Sequence, residues 1–176
     1  MAREIQIRRL ETFADREIRG LNSVLIDCVE GGASVSFMLP MTHAKAESFW
    51  RRAAESAIRG ERAVLAAEDV SNEIVGTVQV LLSQAENQPH RGSIAKLLVH
   101  RRTRGRGVGA ALLAAAEQLA SSAGKTLLVL DTATDSDAYR LYTKYGWQRC
   151  GEIPHYALWP DGRPCPTTVF YKFLQL

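Results

Sequence analysis

The run Arg104-Gly105-Arg106-Gly107-Val108-Gly109-Ala110 constrains this chain more than any other feature. It stands between a strand-like segment, Ile94 to Val99, and an amphipathic pattern at Val108, Ala111, Leu112, Ala115 and Leu119. Gly124 closes that helical pattern. Leu127-Leu128-Val129-Leu130 follows as a continuous apolar run, the mark of a strand covered on both faces. A strand, a crossover helix and a buried strand make one parallel unit. A chain containing that unit needs a sheet with helices packed on it.

The rest of the chain supplies antiparallel neighbours. Ile5 and Ile7 alternate with polar residues, which predicts a short first strand. Thr12 with Asp15 has capping-box spacing, and Ile18, Leu21, Leu25, Cys28 and Val29 then share one helical face up to Gly31-Gly32. The apolar but aperiodic stretch Ala33 to Met41 reads as a packed loop. Thr42 can cap a second helix, with a stripe at Trp50, Ala53, Ala54, Ala57 and Ile58, and Gly60 ends it. Arg62 to Ala67 and Ile74 to Leu82, joined by the turn-forming Asp69 to Asn72, read as an antiparallel hairpin. A fourth helix is expected near Ser136 to Lys144, and closing strands near Gln148 to Ile153 and Thr167 to Phe173. The expected order is β-α-α-β-β-β-α-β-α-β-β: an α+β, mixed-sheet domain spanning 1–176, with helices on both faces.

Composition narrows the function classes. The chain has 176 residues, 46 % hydrophobic and 23 % charged, which argues against disorder and coiled coil. A net charge of +3 does not demand a nucleic-acid partner. No segment approaches the ~18 apolar residues of a membrane helix, and Met1 to Leu10 alternates charged with apolar residues, so no signal peptide is expected there. Cys28, Cys150 and Cys165 fit neither a disulfide framework nor a zinc spacing, and His43, His90, His100 and His155 have no ligand spacing. A reduced, cytoplasmic setting without metal is the expectation.

The glycine-rich loop suits an anion. The first N–H groups of a helix have no internal partner, and the helix dipole adds positive potential there. Glycines let a phosphate reach the bare backbone, and Arg101, Arg102, Arg104 and Arg106 surround the same mouth. Gly105, Gly107 and Ala110 also satisfy the dinucleotide pattern G-x-G-x-x-A, with Asp131 about 20 residues on. Context opposes that alternative. About five residues separate Val99 from Gly105, the preceding strands read as antiparallel, and about 45 residues after Asp131 cannot hold a second nucleotide-binding half.

Arg104-x-x-Gly107-x-Gly109 after the strand Ile94–Val99 resembles the acyl-CoA motif of the GNAT N-acetyltransferases, and the order of elements resembles that family along essentially the whole chain. Gly31-Gly32-Ala33-Ser34-Val35-x-Phe37-Met38, Leu130-Asp131-Thr132 and Gly151-Glu152-x-Pro154-x-Tyr156 with Pro160-Asp161-Gly162-Arg163 are similar to the tabtoxin-resistance acetyltransferases within it. The resemblance implies a GNAT fold and acetyl-CoA as co-substrate. It implies that Leu97, Leu98 and Val99 hold the acetyl and pantetheine groups, and that the amides of Gly105, Arg106, Gly107, Val108, Gly109 and Ala110 hold the pyrophosphate. The strands Ile94–Val99 and Leu127–Leu130 are then expected to splay around the pantetheine arm. Asp135 falls where many members bond that arm, although a helix N-cap explains it equally well. Gly31, Gly32, Ser34, Phe37 and Tyr156 would line the acceptor side.

Acetyl transfer to an amine needs a neutral nucleophile, donors for a developing oxyanion and a proton for the leaving thiolate. By resemblance Asp131 handles the amine's proton and Tyr142 is the acid. Ser93 stands where the similar proteins carry a Glu, and serine is no strong base. The expected reaction is N-acetylation of the primary amine of a small soluble molecule (an amino-acid-like toxin, antibiotic or metabolite, hence a resistance role) by direct attack in a ternary complex. The alternatives are a protein amine or a non-catalytic acyl-CoA sensor. The expected partners are acetyl-CoA and that amine, with no nucleic acid or membrane, and the chain as monomer or homodimer.

Overall fold

The computed structural model describes residues 5–174. Seven strands form one sheet in the order β1-β2-β3-β4-β5-β7-β6. In chain order the elements are β1 (Gln6–Arg9), α1 (Asp15–Glu30), α2 (His43–Ile58), β2 (Arg62–Glu68), β3 (Ile74–Leu81), β4 (Arg91–Val99), α3 (Val108–Ser122), β5 (Leu127–Ala133), α4 (Asp137–Lys144), β6 (Gln148–Leu158) and β7 (Pro164–Phe173). A single 3₁₀ turn, Arg101–Thr103, follows β4. This is the expected order and the expected mixed α/β class.

One apolar layer joins α3 and α4 to one face, through Val108, Leu112, Leu113, Ala116, Leu128, Tyr142 and Phe170. A second joins α1 and α2 to the other, through Leu21, Leu25, Val29, Trp50 and Val64. The loop 33–37 packs on this second layer by Ala33, Val35 and Phe37, as the sequence led us to expect. At Gly76 on β3 the side chains of α3 come close to the sheet backbone. A Cβ there would lie 3.0 Å from the Leu112 side chain and 3.1 Å from the Leu98 carbonyl.

Three local expectations need correction. Helix α1 starts from Ala14 with no side-chain cap, so the Thr12–Asp15 spacing is not used as a capping box. Ile58 is 75 % exposed, because the last turn of α2 rotates it off the buried stripe. On α3 the inner face runs through Leu113, Ala116 and Ala120, while Ala111 is exposed. Alanines are small enough to fit either side of a helix, so they mark its phase poorly. Thr42 does cap α2, accepting the Lys45 N–H at 3.2 Å.

The one parallel pairing positions everything that follows. β4 and β5 are paired only at Arg91–Ser93 with Leu127–Val129. Beyond it β4 stays with β3 as far as Val99, and β5 stays with β7 as far as Ala133. The two strands therefore part, opening a wedge in the middle of the sheet.

Candidate active site

Two adjoining cavities occupy the wedge. The first, about 660 Å³, runs from the β4 end along the 104–110 loop to α4. The second, about 380 Å³, lies between the 34–38 loop, β4, β5 and β6. Ser34, Val35, Leu97, Thr132, Ala133 and Ala138 line both, so they are continuous at the mouth of the splay.

The first cavity is built for a long ligand with an anionic end. Helix α3 begins at Val108 from Gly107, which has no side chain to cap it, so the first N–H groups are left for a ligand. Gly105 and Gly107 have φ of 74° and 81°, and a Cβ on either would meet nothing within 4 Å. The backbone is thus bare on its open side. Arg106 is exposed and pairs with no described residue. Arg104 is partly tied down, donating from Nε to the Val99 carbonyl at 3.0 Å and lying 3.7 Å from the Cys28 sulfur. The other two arginines are engaged elsewhere: Arg101 pairs with Asp27 at 2.9 Å and Arg102 with Glu73 at 2.7 Å. The cationic mouth is therefore narrower than four arginines suggest.

Asp27 anchors the turn that carries this loop. Its carboxylate accepts from the Arg101 backbone N–H at 2.8 Å and from the Arg101 guanidinium. Burial pushes its pKa up, but those hydrogen bonds and His100 outweigh burial and leave it below the ordinary aspartate value.

The second cavity holds the ionisable groups. Asp131, at an exposed position of β5, lines it and accepts no hydrogen bond from the described residues. Tyr142 of α4 reaches it from below, 4 % exposed. Burial, and then the Asp131 charge, raise the Tyr142 phenol well above its ordinary value, so it stays protonated. Lys96 also lines this cavity, and no sequence signal pointed to it. It sits at φ 52° where the β3–β4 register slips, a bulge that turns its side chain off the strand's normal alternation.

The other anticipated residues divide. Leu97 lines both cavities, and Leu98, Val99, Val108, Gly109 and Ala110 line the first. Ser34 lines both, while Phe37 and Tyr156 line the second. Gly31 and Gly32 border the first cavity instead of the acceptor side. Asp135 borders neither. Its neighbour Ser136 both caps α4, accepting the Tyr139 N–H at 3.1 Å, and lines the first cavity. Ser93 also lies outside both cavities, in the paired part of β4, where its hydroxyl accepts from Arg91 at 3.1 Å. Cys28, Tyr145 and Trp159 line the first cavity without having been singled out for it.

Two segments expected over the acceptor side touch one another. Ser34 donates to the Leu158 carbonyl at 2.8 Å, and the Leu39 N–H donates to the Pro160 carbonyl at 3.1 Å.

Residues 35–147 match the family model described as "Acetyltransferase (GNAT) family". The chain belongs to the GNAT acetyltransferases. Solved structures of the same fold include a GNAT superfamily phosphinothricin acetyltransferase from Sinorhizobium meliloti in complex with AcCoA, at 16 % identity and TM-score 0.79, covering 99 % of this chain and 89 % of that one. A ribosomal-protein-alanine N-acetyltransferase from Brucella melitensis matches at 22 % identity and TM-score 0.78, with 96 % and 99 % covered. An N-acetyltransferase from Staphylococcus aureus Mu50 matches at 15 % and 0.80, with 98 % and 99 % covered. Structures of this one fold thus bear names as different as phosphinothricin acetyltransferase and ribosomal-protein-alanine N-acetyltransferase. The fold alone does not choose between them.

Proposed function

We propose that this GNAT enzyme transfers the acetyl group of acetyl-CoA to the amine of a small soluble molecule, in one domain spanning 1–176. The observation that carries the reading is the pair of continuous cavities. One fits a long phosphate-bearing ligand; the other, about 380 Å³, is walled by the 34–38 loop and β6 and holds Asp131 and Tyr142. An extended peptide needs an open groove, whereas here the loop and the β6–β7 hairpin are hydrogen-bonded together. A toxin- or antibiotic-resistance role would follow if the acceptor is such a compound, and a cytoplasmic setting suits acetyl-CoA.

In this reading the amides of Gly105 to Ala110 and Arg106 take the pyrophosphate, and Leu97 to Val99 position the thioester. Asp131 binds the acceptor's ammonium and orients a water that takes its proton, since an ordinary carboxylate is a poor base towards an ammonium of pKa ~10. Tyr142 donates a hydrogen bond to the departing sulfur. Releasing its proton outright would leave a buried phenolate beside Asp131, so the proton that finally reaches sulfur is supplied through the acceptor amine. Ser93 takes no part.

The test is initial rates of thiol release with acetyl-CoA, comparing basic peptides with amino acids, dipeptides and amino-bearing antibiotics. Small amines are expected to lead. Peptides turned over well ahead of every small amine would overturn the reading.

A further inference from the structure

Helix α4 lines the first cavity along one whole face. Asp137, Ala138, Leu141, Lys144 and Tyr145 all border it, at the three- and four-residue spacing that shares a helix side. The helix starts at the splay, where the Ser136 hydroxyl lies 3.4 Å from that of Thr132 on β5. Its middle stands against the glycine loop: a Cβ on Gly109 would lie 3.4 Å from the Leu141 side chain. Lys144 and Tyr145 come one turn later, beyond the loop. The eight residues of α4 rise about 12 Å, so the helix runs beside a ligand that extends outwards from the splay.

Three charged side chains line this cavity. Arg104 is held by the Val99 carbonyl, and Asp137 is paired with Arg140. Lys144 makes no hydrogen bond or ion pair with a described residue. Its ammonium lies 5.8 Å from the centre of the Tyr145 ring, and Tyr145 is 42 % exposed. A free cation beside a bare aromatic ring, at the outer end of an anion-binding cavity, suits a ligand whose end is both anionic and flat. Acetyl-CoA ends in that way: beyond the diphosphate come a ribose 3′-phosphate and an adenine. We propose that Lys144 binds the 3′-phosphate and Tyr145 stacks on the adenine, so that the C-terminal end of α4 selects CoA over its 3′-dephospho form. This rests on placing acetyl-CoA in the first cavity, as above, and adds a specificity determinant outside the glycine loop. The loop amides and Arg106 face the diphosphate, which both forms carry, and cannot tell the two apart.

The experiment titrates acetyl-CoA and acetyl-3′-dephospho-CoA calorimetrically into the intact wild type, Lys144→Gln, Tyr145→Ala and Arg106→Gln. Wild type should bind acetyl-CoA about tenfold or more tightly than the dephospho form. Lys144→Gln should bring the two to within about twofold, by weakening acetyl-CoA alone; its unchanged affinity for the dephospho form shows that the variant is folded. Tyr145→Ala should weaken both roughly threefold or more, since both carry the adenine. Arg106→Gln should weaken both and keep their ratio. Equal binding of the two compounds by wild type would overturn the proposal while leaving acetyl-CoA in its cavity. So would a ratio that survives Lys144→Gln, or one that collapses in Arg106→Gln instead. Full affinity in Tyr145→Ala would overturn the stacking. Binding of neither compound by wild type would overturn the proposal and the reading it rests on.

Discussion

Tyr142 sits 4 % exposed under the acceptor cavity, and its environment sets what a titration should show. Its pKa lies above the ordinary value, so the functional, protonated phenol is present at neutral pH and is lost only as pH rises through the raised value. A tyrosine acid in a solvated site would give an alkaline limb near pH ~10. Here Tyr142 should contribute no fall in kcat up to that pH. Tyr142→Phe should lower kcat by ~10²-fold at every pH below it, with the profile's shape unchanged. A wild-type alkaline limb well below pH ~10 that vanishes in Tyr142→Phe would contradict the assignment. Asp131→Asn should cut kcat/KM by at least ~10²-fold with acetyl-CoA affinity nearly intact, because the carboxylate touches only the acceptor cavity. Wild-type kcat/KM in that variant would remove Asp131 from the mechanism. Asp27 carries a stability prediction. Its pKa is lowered on folding, so its contribution is complete above the ordinary aspartate range and is lost as pH falls through the lowered value. Asp27→Asn should cost about 1–3 kcal/mol at pH 7, and the gap in Tm should close below pH ~4. A gap independent of pH would contradict it.

At the scale of elements, the seat of α3 on Gly76 ties the core to the site. Gly76→Ala would place a methyl 3.0 Å from Leu112 on α3 and 3.1 Å from the Leu98 carbonyl. Overpacking of this kind costs ~1–3 kcal/mol. The displaced helix carries the phosphate loop at its N-terminus, so Tm should fall and acetyl-CoA binding weaken together. A lowered Tm with unchanged binding would show that the loop is held independently of the helix. The sequence made these elements legible because their signals are strong: β-branched and aliphatic runs around a turn in β2 and β3, a continuous apolar run in β5, a clear helical stripe in α1. It also placed the glycine loop correctly, since strand, glycines and helix follow one another along the chain. What it could not show depends on geometry across elements. The bulge that turns Lys96 into the cavity arises from a slip against β3. Ser93 matches the position of a relative's acid but lies where β4 and β5 are still paired. Asp135 and Ser136 differ by one residue, and only the course of the turn puts Ser136 on the cavity wall.

For the molecule as a whole, the sheet split between β4 and β5 opens two joined cavities, which the proposed function assigns to acetyl-CoA and to the amine. No helix among the described residues is long and apolar enough to cross a membrane. The split opens one cavity bordered by the glycine loop, Gly105 and Gly107 to Ala110, and a second, continuous with it, that holds Asp131 and Lys96; Arg106 lines neither. Gly107 is the position where ligand and fold can be told apart. Its φ of 81° strains any side chain by ~1–3 kcal/mol, so a loss of Tm in Gly107→Val is expected in any case. Arg106 is exposed and forms no hydrogen bond or ion pair with a described residue, so Arg106→Gln should leave Tm where it is. The most direct measurement is calorimetric titration of acetyl-CoA into wild type, Arg106→Gln and Gly107→Val, with NAD titrated in parallel. Wild type should bind acetyl-CoA more tightly than NAD. Arg106→Gln should weaken acetyl-CoA binding, and Gly107→Val, where folded, should raise the dissociation constant tenfold or more, about 1.4 kcal/mol. Unchanged affinity in both folded variants, or tighter binding of NAD, would contradict the account.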